Sequence, residues 1–242
     1  MTPSVIAAII RNQRNFHSLV PFVPETDKVF RIDLSEKNKK ITAEIFNDTQ
    51  KFTIYMREER IKFKATYLIG GYNELRTVYS RSALFSSSAD NNKETVRQMQ
   101  EPRRLHLGID IWGEKGTPVF APVGGMVHSF AFNAGYGDYG ATLILLHQLD
   151  GIPFYTLYGH LSMGDIHSLN EGQYISRGDE IAHFGEEHEN GHWPPHLHFQ
   201  VIINMELNNG DYPGVCRFSE REKYLTNCPD PDLILQMDRY VG

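Results

Sequence analysis

Residues 194–203 read Pro194-Pro195-His196-Leu197-His198-Phe199-Gln200-Val201-Ile202-Ile203. His196, His198 and Gln200 alternate with apolar residues, which is the period of a half-buried β-strand. The two prolines favour an extended entry and cannot lie inside a sheet, so the strand is predicted to begin after them. The two histidines then project from one face, with their Cα atoms roughly 6–7 Å apart. Such a pair alone is as typical of a solvated strand face as of a binding site.

A second cluster occurs earlier in the chain, in the run His106-Leu107-Gly108-Ile109-Asp110. A spacing of four would align His106 and Asp110 on a helix, but Gly108 and the β-branched Ile109 favour an extended or bent segment. On a straight strand the two residues would be roughly 13 Å apart, too far to share one ion. A kink or bulge at Gly108 is therefore expected to bring them together.

A third histidine, His160, follows an aromatic, β-rich run and stands directly after Gly159, where a side chain can face a cleft. A catalytic zinc ion typically takes three protein ligands of nitrogen or oxygen type and leaves a fourth position for water. Two histidines and a carboxylate meet that requirement. The three clusters together therefore indicate a zinc site more specifically than any one of them does.

The motifs HLGID from position 106, YGHLS from position 158 and HLHF from position 196, in that order, resemble the M23 family of zinc metallopeptidases, the LytM/lysostaphin type. The similarity runs from about residue 104 to residue 203 and includes strand–turn–strand segments at 116–127 and 172–182. The resemblance implies a mainly β protein with an antiparallel M23/LytM-like catalytic sheet of the duplicated hybrid motif type. It also implies an endopeptidase that attacks a peptide bond with metal-activated water, on peptidoglycan-type or small peptides.

The resemblance further implies one Zn²⁺ per chain, with His106, Asp110 and His198 as its ligands and His160 and His196 as the catalytic, non-ligand pair. An imidazole with a pKa near 6.5 can take a proton from water and return it to the leaving amine. A second imidazole, if charged, can stabilise the oxyanion. The sequence leaves open which histidine has which role.

Two other functions use the same residues differently. A histidine phosphocarrier on a related sheet would employ His160 and His196 without a metal, but it would leave His106 and Asp110 without a task. A non-catalytic regulatory or binding module is known among degenerate relatives that have lost ligand residues, whereas this chain keeps every one. The active hydrolase is therefore the favoured interpretation.

The composition sets wider limits. The chain has 242 residues, 40% of them hydrophobic, and a formal net charge of −6, which gives no electrostatic attraction to nucleic acid. No apolar run is long enough to span a bilayer, and the short run Val5–Ile10 does not resemble a secretion signal. We therefore expect a peptide substrate, no nucleic-acid or membrane partner, and a cytoplasmic protein unless a signal lies upstream; the pattern indicates no oligomeric state.

A polar stretch at 86–93 suggests two domains: residues 1–90, a small β-rich domain of unknown role, and residues 91–242, the peptidase domain with a C-terminal extension. Alternation predicts strands over 28–34, 40–46, 51–56 and 61–67, with a helix over 3–14. In latent relatives an upstream asparagine fills the open zinc position, and Asn73 is the candidate here. His147 is predicted to be a hydrogen-bonded core residue, and Cys216 and Cys228 are either paired or free.

Overall fold

The computed structural model describes residues 2–86 and 101–242 and contains twelve strands. The strands are β1 Val29–Ile32, β2 Tyr67–Gly70, β3 Leu105–His106, β4 Ile109–Trp112, β5 Pro118–Phe120, β6 Gly125–Asn133, β7 Gly140–Leu149, β8 Ile152–Leu161, β9 Tyr174–Ile175, β10 Glu180–His183, β11 His196–Ile202 and β12 Val215–Cys216. The α-helices are α1 Thr2–Asn12, α2 Ala43–Phe46, α3 Thr49–Lys62, α4 Met163–Ile166, α5 Arg221–Asn227 and α6 Asp232–Leu235. Short 3₁₀ helices occur at Gln13–Asn15, Val78–Arg81, Ala83–Phe85, Phe218–Glu220 and Asp238–Tyr240.

One large sheet organises the molecule, with eight strands in the order β1-β2-β4-β11-β8-β7-β6-β9. Every pairing in it is antiparallel except that between β1 and β2. Two further antiparallel pairs join β5 to β10 and β3 to β12. The predicted mainly β, antiparallel fold is confirmed. The strands β4, β11 and β8 lie side by side near its middle. They carry Asp110, the pair His196 and His198, and His160, respectively.

The two faces of β11 follow the predicted alternation. Leu197, Phe199 and Val201 belong to the main hydrophobic cluster, in which Phe199 packs against Tyr158 of β8 at a ring-centroid distance of 5.4 Å. The prediction of a half-buried strand is wrong, however, because every residue of β11 is buried. His196 and His198 on the polar face are only 2% and 3% exposed.

The prediction of a β-rich amino-terminal domain needs correction. Strands were predicted over 40–46 and 51–56, but α2 and α3 occupy these positions. In α3 the buried residues Phe52 and Met56 are four apart, as on one helix face, whereas Ile54 between them is 55% exposed. The apparent alternation of apolar residues therefore came from both sides of a helix. Of the four predicted strands, two have a counterpart in the structure. The range 28–34 contains β1, and the end of the range 61–67 coincides with the start of β2.

The amino-terminal strands continue the large sheet rather than form one of their own. β1 pairs with β2 in parallel, and β2 pairs with β4 through Leu68, Ile69 and Gly70. The predicted helix over 3–14 is confirmed as α1, whose Val5 and Ile9 enter the main hydrophobic cluster. The predicted domain boundary between residues 90 and 91 lies outside the described residues and stays a prediction.

Two further points concern the periphery. Cys216 and Cys228 are both buried and free, and burial raises the pKa of each thiol to about 12. In the part of the chain that the structure describes, no helix has the length and apolarity to cross a membrane.

Candidate metal centre and catalytic cleft

Three adjacent segments bring His106, Asp110 and His198 together. β3 ends at His106 and β4 begins at Ile109, so the predicted break at Gly108 is confirmed. His198 of β11 is the direct cross-strand partner of Asp110. A Cβ atom on Gly108 would lie 2.5 Å from Cε1 of His198, so a residue without a side chain is required where the ring packs against the break.

The three side chains direct one atom each at a common point. His106 Nε2 lies 2.9 Å from His198 Nδ1, and Asp110 Oδ1 lies 3.2 Å from the first and 3.1 Å from the second. Neighbouring ligands of a tetrahedral zinc ion at about 2.0–2.2 Å lie roughly 3.3–3.6 Å apart. All three residues are buried. The spacing is thus within a few tenths of an ångström of a tetrahedral ligand set.

Each of the two imidazoles has a hydrogen-bond acceptor on the side away from the common point. His106 Nδ1 lies 3.0 Å from Gly71 O, and His198 Nε2 lies 3.0 Å from Gln200 Oε1. The Gln200 amide nitrogen donates to Pro213 O at 3.2 Å, which keeps its oxygen turned toward His198. An imidazole that donates its N–H to this outer acceptor faces the common point with a lone pair, which is the tautomer that a metal ligand requires. Two lone pairs and a carboxylate oxygen at this distance repel one another unless a cation lies between them.

The second oxygen of Asp110 is held by a buried arginine that the motif analysis did not single out. Arg76 is 2% exposed, and its Nη1 donates to Asp110 Oδ2 at 2.5 Å. Burial would raise the pKa of Asp110, but its neighbours, with the permanently charged Arg76 guanidinium among them, outweigh burial and hold that pKa well below its usual range. Asp110 is therefore an anion, as a metal ligand must be.

His160 and His196 form a second pair beside this triad. Their ring centroids are 4.0 Å apart, and His196 also stacks on Trp112 at 3.9 Å. His160 Nδ1 lies 2.8 Å from Asn190 O, and His196 Nδ1 lies 2.8 Å from Pro194 O. Since each Nδ1 donates to a carbonyl, each Nε2 keeps a free lone pair. His196 Nε2 is 4.0 Å from Asp110 Oδ1, beside the triad but further from it than the ligand atoms are from one another.

The environment keeps both imidazoles neutral. Burial lowers the pKa of His196 to about 4, and burial together with the neighbouring His196 holds the pKa of His160 well below its ordinary value. His160 has a φ of +64°, in a region that non-glycine residues seldom adopt, and the register between β7 and β8 shifts next to it. Such strain concentrates at functional positions, where it re-aims a side chain.

Three other residues lie outside this centre. Asn73 does not reach the triad, because its side-chain oxygen accepts a hydrogen bond of 2.8 Å from Arg221 Nε, so the structure does not support its prediction as a zinc plug. Tyr158 is fully buried against Phe199 on the opposite face of the sheet. His147 is confirmed as a core residue, buried with Nδ1 3.0 Å from Gly124 O.

A cleft of about 110 Å³ opens over the histidines. Its walls include the aromatic side chains of Tyr79, Tyr139 and Trp193, together with His160, His196 and His198. Asp138, Asp211 and Arg103 also line it and supply both signs of charge. The arrangement offers a bound molecule a metal-binding triad, two neutral bases and apolar walls in one place.

Residues 104–209 match the family model of Peptidase family M23. A protein of Haemophilus influenzae named an uncharacterized metalloprotease is 36% identical over 140 residues, which cover 55% of this chain and 27% of that protein. The DD-carboxypeptidase/endopeptidase Mpg of Neisseria meningitidis is 35% identical over 108 residues, which cover 44% of this chain and 22% of that protein. The chain therefore spans about a quarter of the length of these curated relatives.

The solved structures include the catalytic domain of the antimicrobial peptidase lysostaphin from Staphylococcus simulans. It aligns at 25% identity with a TM-score of 0.32, covering 50% of this chain and 80% of that one.

The matched family region begins at residue 104, so Gly71 and Arg76 lie upstream of it.

Proposed function

We propose, from the match of residues 104–209 to the model of Peptidase family M23, that this chain hydrolyses peptide bonds with a bound zinc ion. The observation that carries the proposal is the convergence of His106 Nε2, His198 Nδ1 and Asp110 Oδ1, each of which lies within 3.2 Å of the other two. Nitrogen and carboxylate ligands in a nearly tetrahedral set suit zinc. Three protein ligands also leave a position for water or substrate.

When bound, zinc lowers the pKa of a coordinated water toward 7 and polarises the substrate carbonyl. His160 and His196 then supply the proton transfers. Both are neutral and both keep Nε2 unprotonated, so either imidazole can accept a proton from the attacking water and deliver it to the leaving amine. Once one has been protonated, its charge stabilises the oxyanion that forms at the carbonyl. Stacking on Trp112 holds the ring of His196 in place during these steps.

The proposed substrate class is a peptide of the kind found in peptidoglycan cross-links or a short free peptide. Support comes from the cleft, whose aromatic walls can hold a peptide backbone. Asp138 and Arg103 at the same cleft can receive an amine and a carboxylate, and peptidoglycan peptides carry both groups. The similarity to a protein named DD-carboxypeptidase/endopeptidase points in the same direction.

The two alternative functions receive less support from the geometry. A phosphocarrier would require only His160 and His196. Asp110 and His198, however, also direct ligand atoms toward a shared point. A regulatory module without catalysis would not require a complete ligand triad beside two neutral bases. Neither alternative explains why one ligand atom each of His106, Asp110 and His198 converge on one point.

The direct test is hydrolysis. Purified protein is incubated with peptidoglycan from isolated sacculi and with a library of short synthetic peptides, and newly formed amine ends are identified by mass spectrometry. We expect cleavage that stops after treatment with a chelator and resumes on addition of zinc. Zinc-loaded protein that cleaves no peptide in either set would contradict the proposal.

A further inference from the structure

The segment from Gly71 to Arg76 connects β2 to the cleft and is bound by its backbone to the strand that carries His106. Asn73 N donates to His106 O at 2.9 Å, and His106 N donates to Glu74 O at 2.9 Å. Arg76 N donates to Arg104 O at 2.9 Å. The segment thus lies alongside β3 as an added, irregular strand. It precedes the matched peptidase region, which begins at residue 104.

This segment supplies the outer hydrogen bond of one ligand candidate. The carbonyl of Gly71 accepts the Nδ1 proton of His106 at 3.0 Å. That bond favours the tautomer in which Nε2 is unprotonated and faces the shared point. Because the acceptor is a backbone atom on a segment held to β3, it moves with the histidine that it orients.

The same segment holds the second ligand candidate through a chain of charged groups. Arg76 Nη1 donates to Asp110 Oδ2, and Arg76 Nε donates to Glu74 Oε2 at 2.7 Å. Glu74 Oε1 in turn accepts from the backbone N–H of Leu34 at 3.1 Å. Glu74 therefore fixes the guanidinium, and the guanidinium fixes the outer oxygen of Asp110. Only Oδ1 is then left to face the histidines.

Close packing against β2 makes this position of Arg76 specific. Gly70 is the cross-strand partner of Asp110, and a Cβ atom on Gly70 would lie 2.5 Å from Arg76 Nη2. Nη2 itself has no hydrogen-bond partner among the described residues. The guanidinium is thus placed by its other two nitrogens and by the absence of a side chain at residue 70. An added methyl group there would displace it.

We infer that Gly71, Glu74 and Arg76, which precede the matched peptidase region, position two of the three metal ligands, and that Arg76 is a positioning residue for Asp110. The inference rests on the proposed metal-dependent function. Loss of such outer hydrogen bonds typically weakens metal binding 10- to 100-fold. The amino-terminal part of the chain is then a component of the metal centre rather than only packing for the sheet.

The test measures zinc affinity in the full chain by competition with a chromogenic chelator. Arg76→Lys keeps the positive charge but removes the planar fork that reaches both Asp110 and Glu74. Gly70→Ala changes no polar group and pushes the guanidinium away. We expect each to weaken zinc binding about 10- to 100-fold, and the visible spectrum of the cobalt-substituted protein to change because the ligand geometry changes.

Two matched controls separate this effect from general destabilisation. Arg31→Lys alters an arginine that pairs with Asp238 at the surface, and Gly164→Ala adds a methyl group whose nearest neighbour is 4.0 Å away. Both should retain the zinc affinity and cobalt spectrum of the unaltered protein. Unchanged affinity in Gly70→Ala and in any folded Arg76→Lys would overturn the inference. Failure of the unaltered protein to bind zinc would instead contradict the proposed function.

Discussion

At the scale of single residues, each ligand candidate is bonded on the side away from the common point. His106 donates to Gly71 O, His198 donates to Gln200 Oε1, and Asp110 Oδ2 accepts from Arg76. When both imidazoles donate their protons to these outer acceptors, only lone pairs face inward. The energy of that arrangement without a cation is unfavourable, because like partial charges face each other in a buried site of low dielectric constant. A cation converts the same geometry into three favourable contacts.

Replacement of His160 or His196 by alanine should slow catalysis strongly without removal of the metal. Neither residue belongs to the triad, and each presents Nε2 as a proton acceptor. We expect kcat/KM to fall about 10²- to 10⁴-fold for each variant, the usual contribution of general acid–base catalysis, with zinc content unchanged. His147→Gln, which changes a buried histidine far from the cleft, should keep its activity. Zinc loss in both alanine variants would show that these histidines are ligands instead.

The five histidine and aspartate positions of the centre could be predicted because their motifs are local. Gly108 indicated the break that brings His106 near Asp110, and alternation in residues 194–203 placed His196 and His198 on one face. Arg76 could not be found in this way. It approaches Asp110 across 34 positions of the chain, and its only local signal is a charged pair, Glu74 and Arg76, just after two glycines.

At the scale of secondary-structure elements, α3 shows why alternation alone is an unsafe guide. Residues 51–56 alternate over a length too short to separate a strand from a helix. The decisive local signal lies before them, where the Asp48 carboxylate accepts hydrogen bonds from Gln50 N at 2.9 Å and Lys51 N at 3.1 Å. This is an N-cap, and the helix formers that follow Asp48 complete the helix.

Removal of this cap should destabilise the protein measurably. Asp48→Ala leaves the first N–H groups of α3 without their side-chain acceptor, and we expect the free energy of unfolding to fall by about 1 kcal/mol. Urea unfolding followed by circular dichroism measures the change. Glu58→Ala, an exposed substitution in the same helix, should alter the free energy of unfolding by less than about 0.5 kcal/mol. Equal effects of the two substitutions would argue against the cap.

His147 in β7 should make stability depend on pH. Its Nε2 lies 2.6 Å from Thr156 Oγ1, and burial lowers the pKa of the imidazole to about 4. Above about pH 6.5 the ring is neutral in both the folded and the unfolded chain. As the pH falls from 6.5 toward 4, the unfolded chain binds a proton that the folded chain does not, so the free energy of unfolding decreases.

A comparison with His147→Gln isolates this contribution. Between pH 7 and pH 5 the unaltered protein should lose about 2 kcal/mol more than the variant, which has no group to titrate at this position. Chemical unfolding at both pH values, with chelator present throughout, measures the two differences. If both proteins lose the same free energy over this interval, His147 does not titrate as the structure requires.

At the scale of the whole molecule, the sheet is continuous from the amino-terminal strands to those that carry Asp110, His198 and His160. β1 and β2 extend it through the pairing of β2 with β4, and the chain then runs on to cover the polar face of β11. The mainly β, antiparallel character could be predicted from local patterns. The attachment of β2 to β4 could not, because strand pairing between distant segments leaves no periodic trace in either one.

The most direct test of the metal centre is the zinc content of the purified protein, measured by elemental analysis after extensive dialysis. We predict close to one zinc ion per chain, lost in both Asp110→Ala and His198→Ala and retained in His147→Gln. Each of the first two variants removes one of the three converging ligand atoms, whereas the third leaves all three in place. No zinc in the unaltered protein, even after zinc has been supplied, or zinc retained in both ligand variants, would contradict the account.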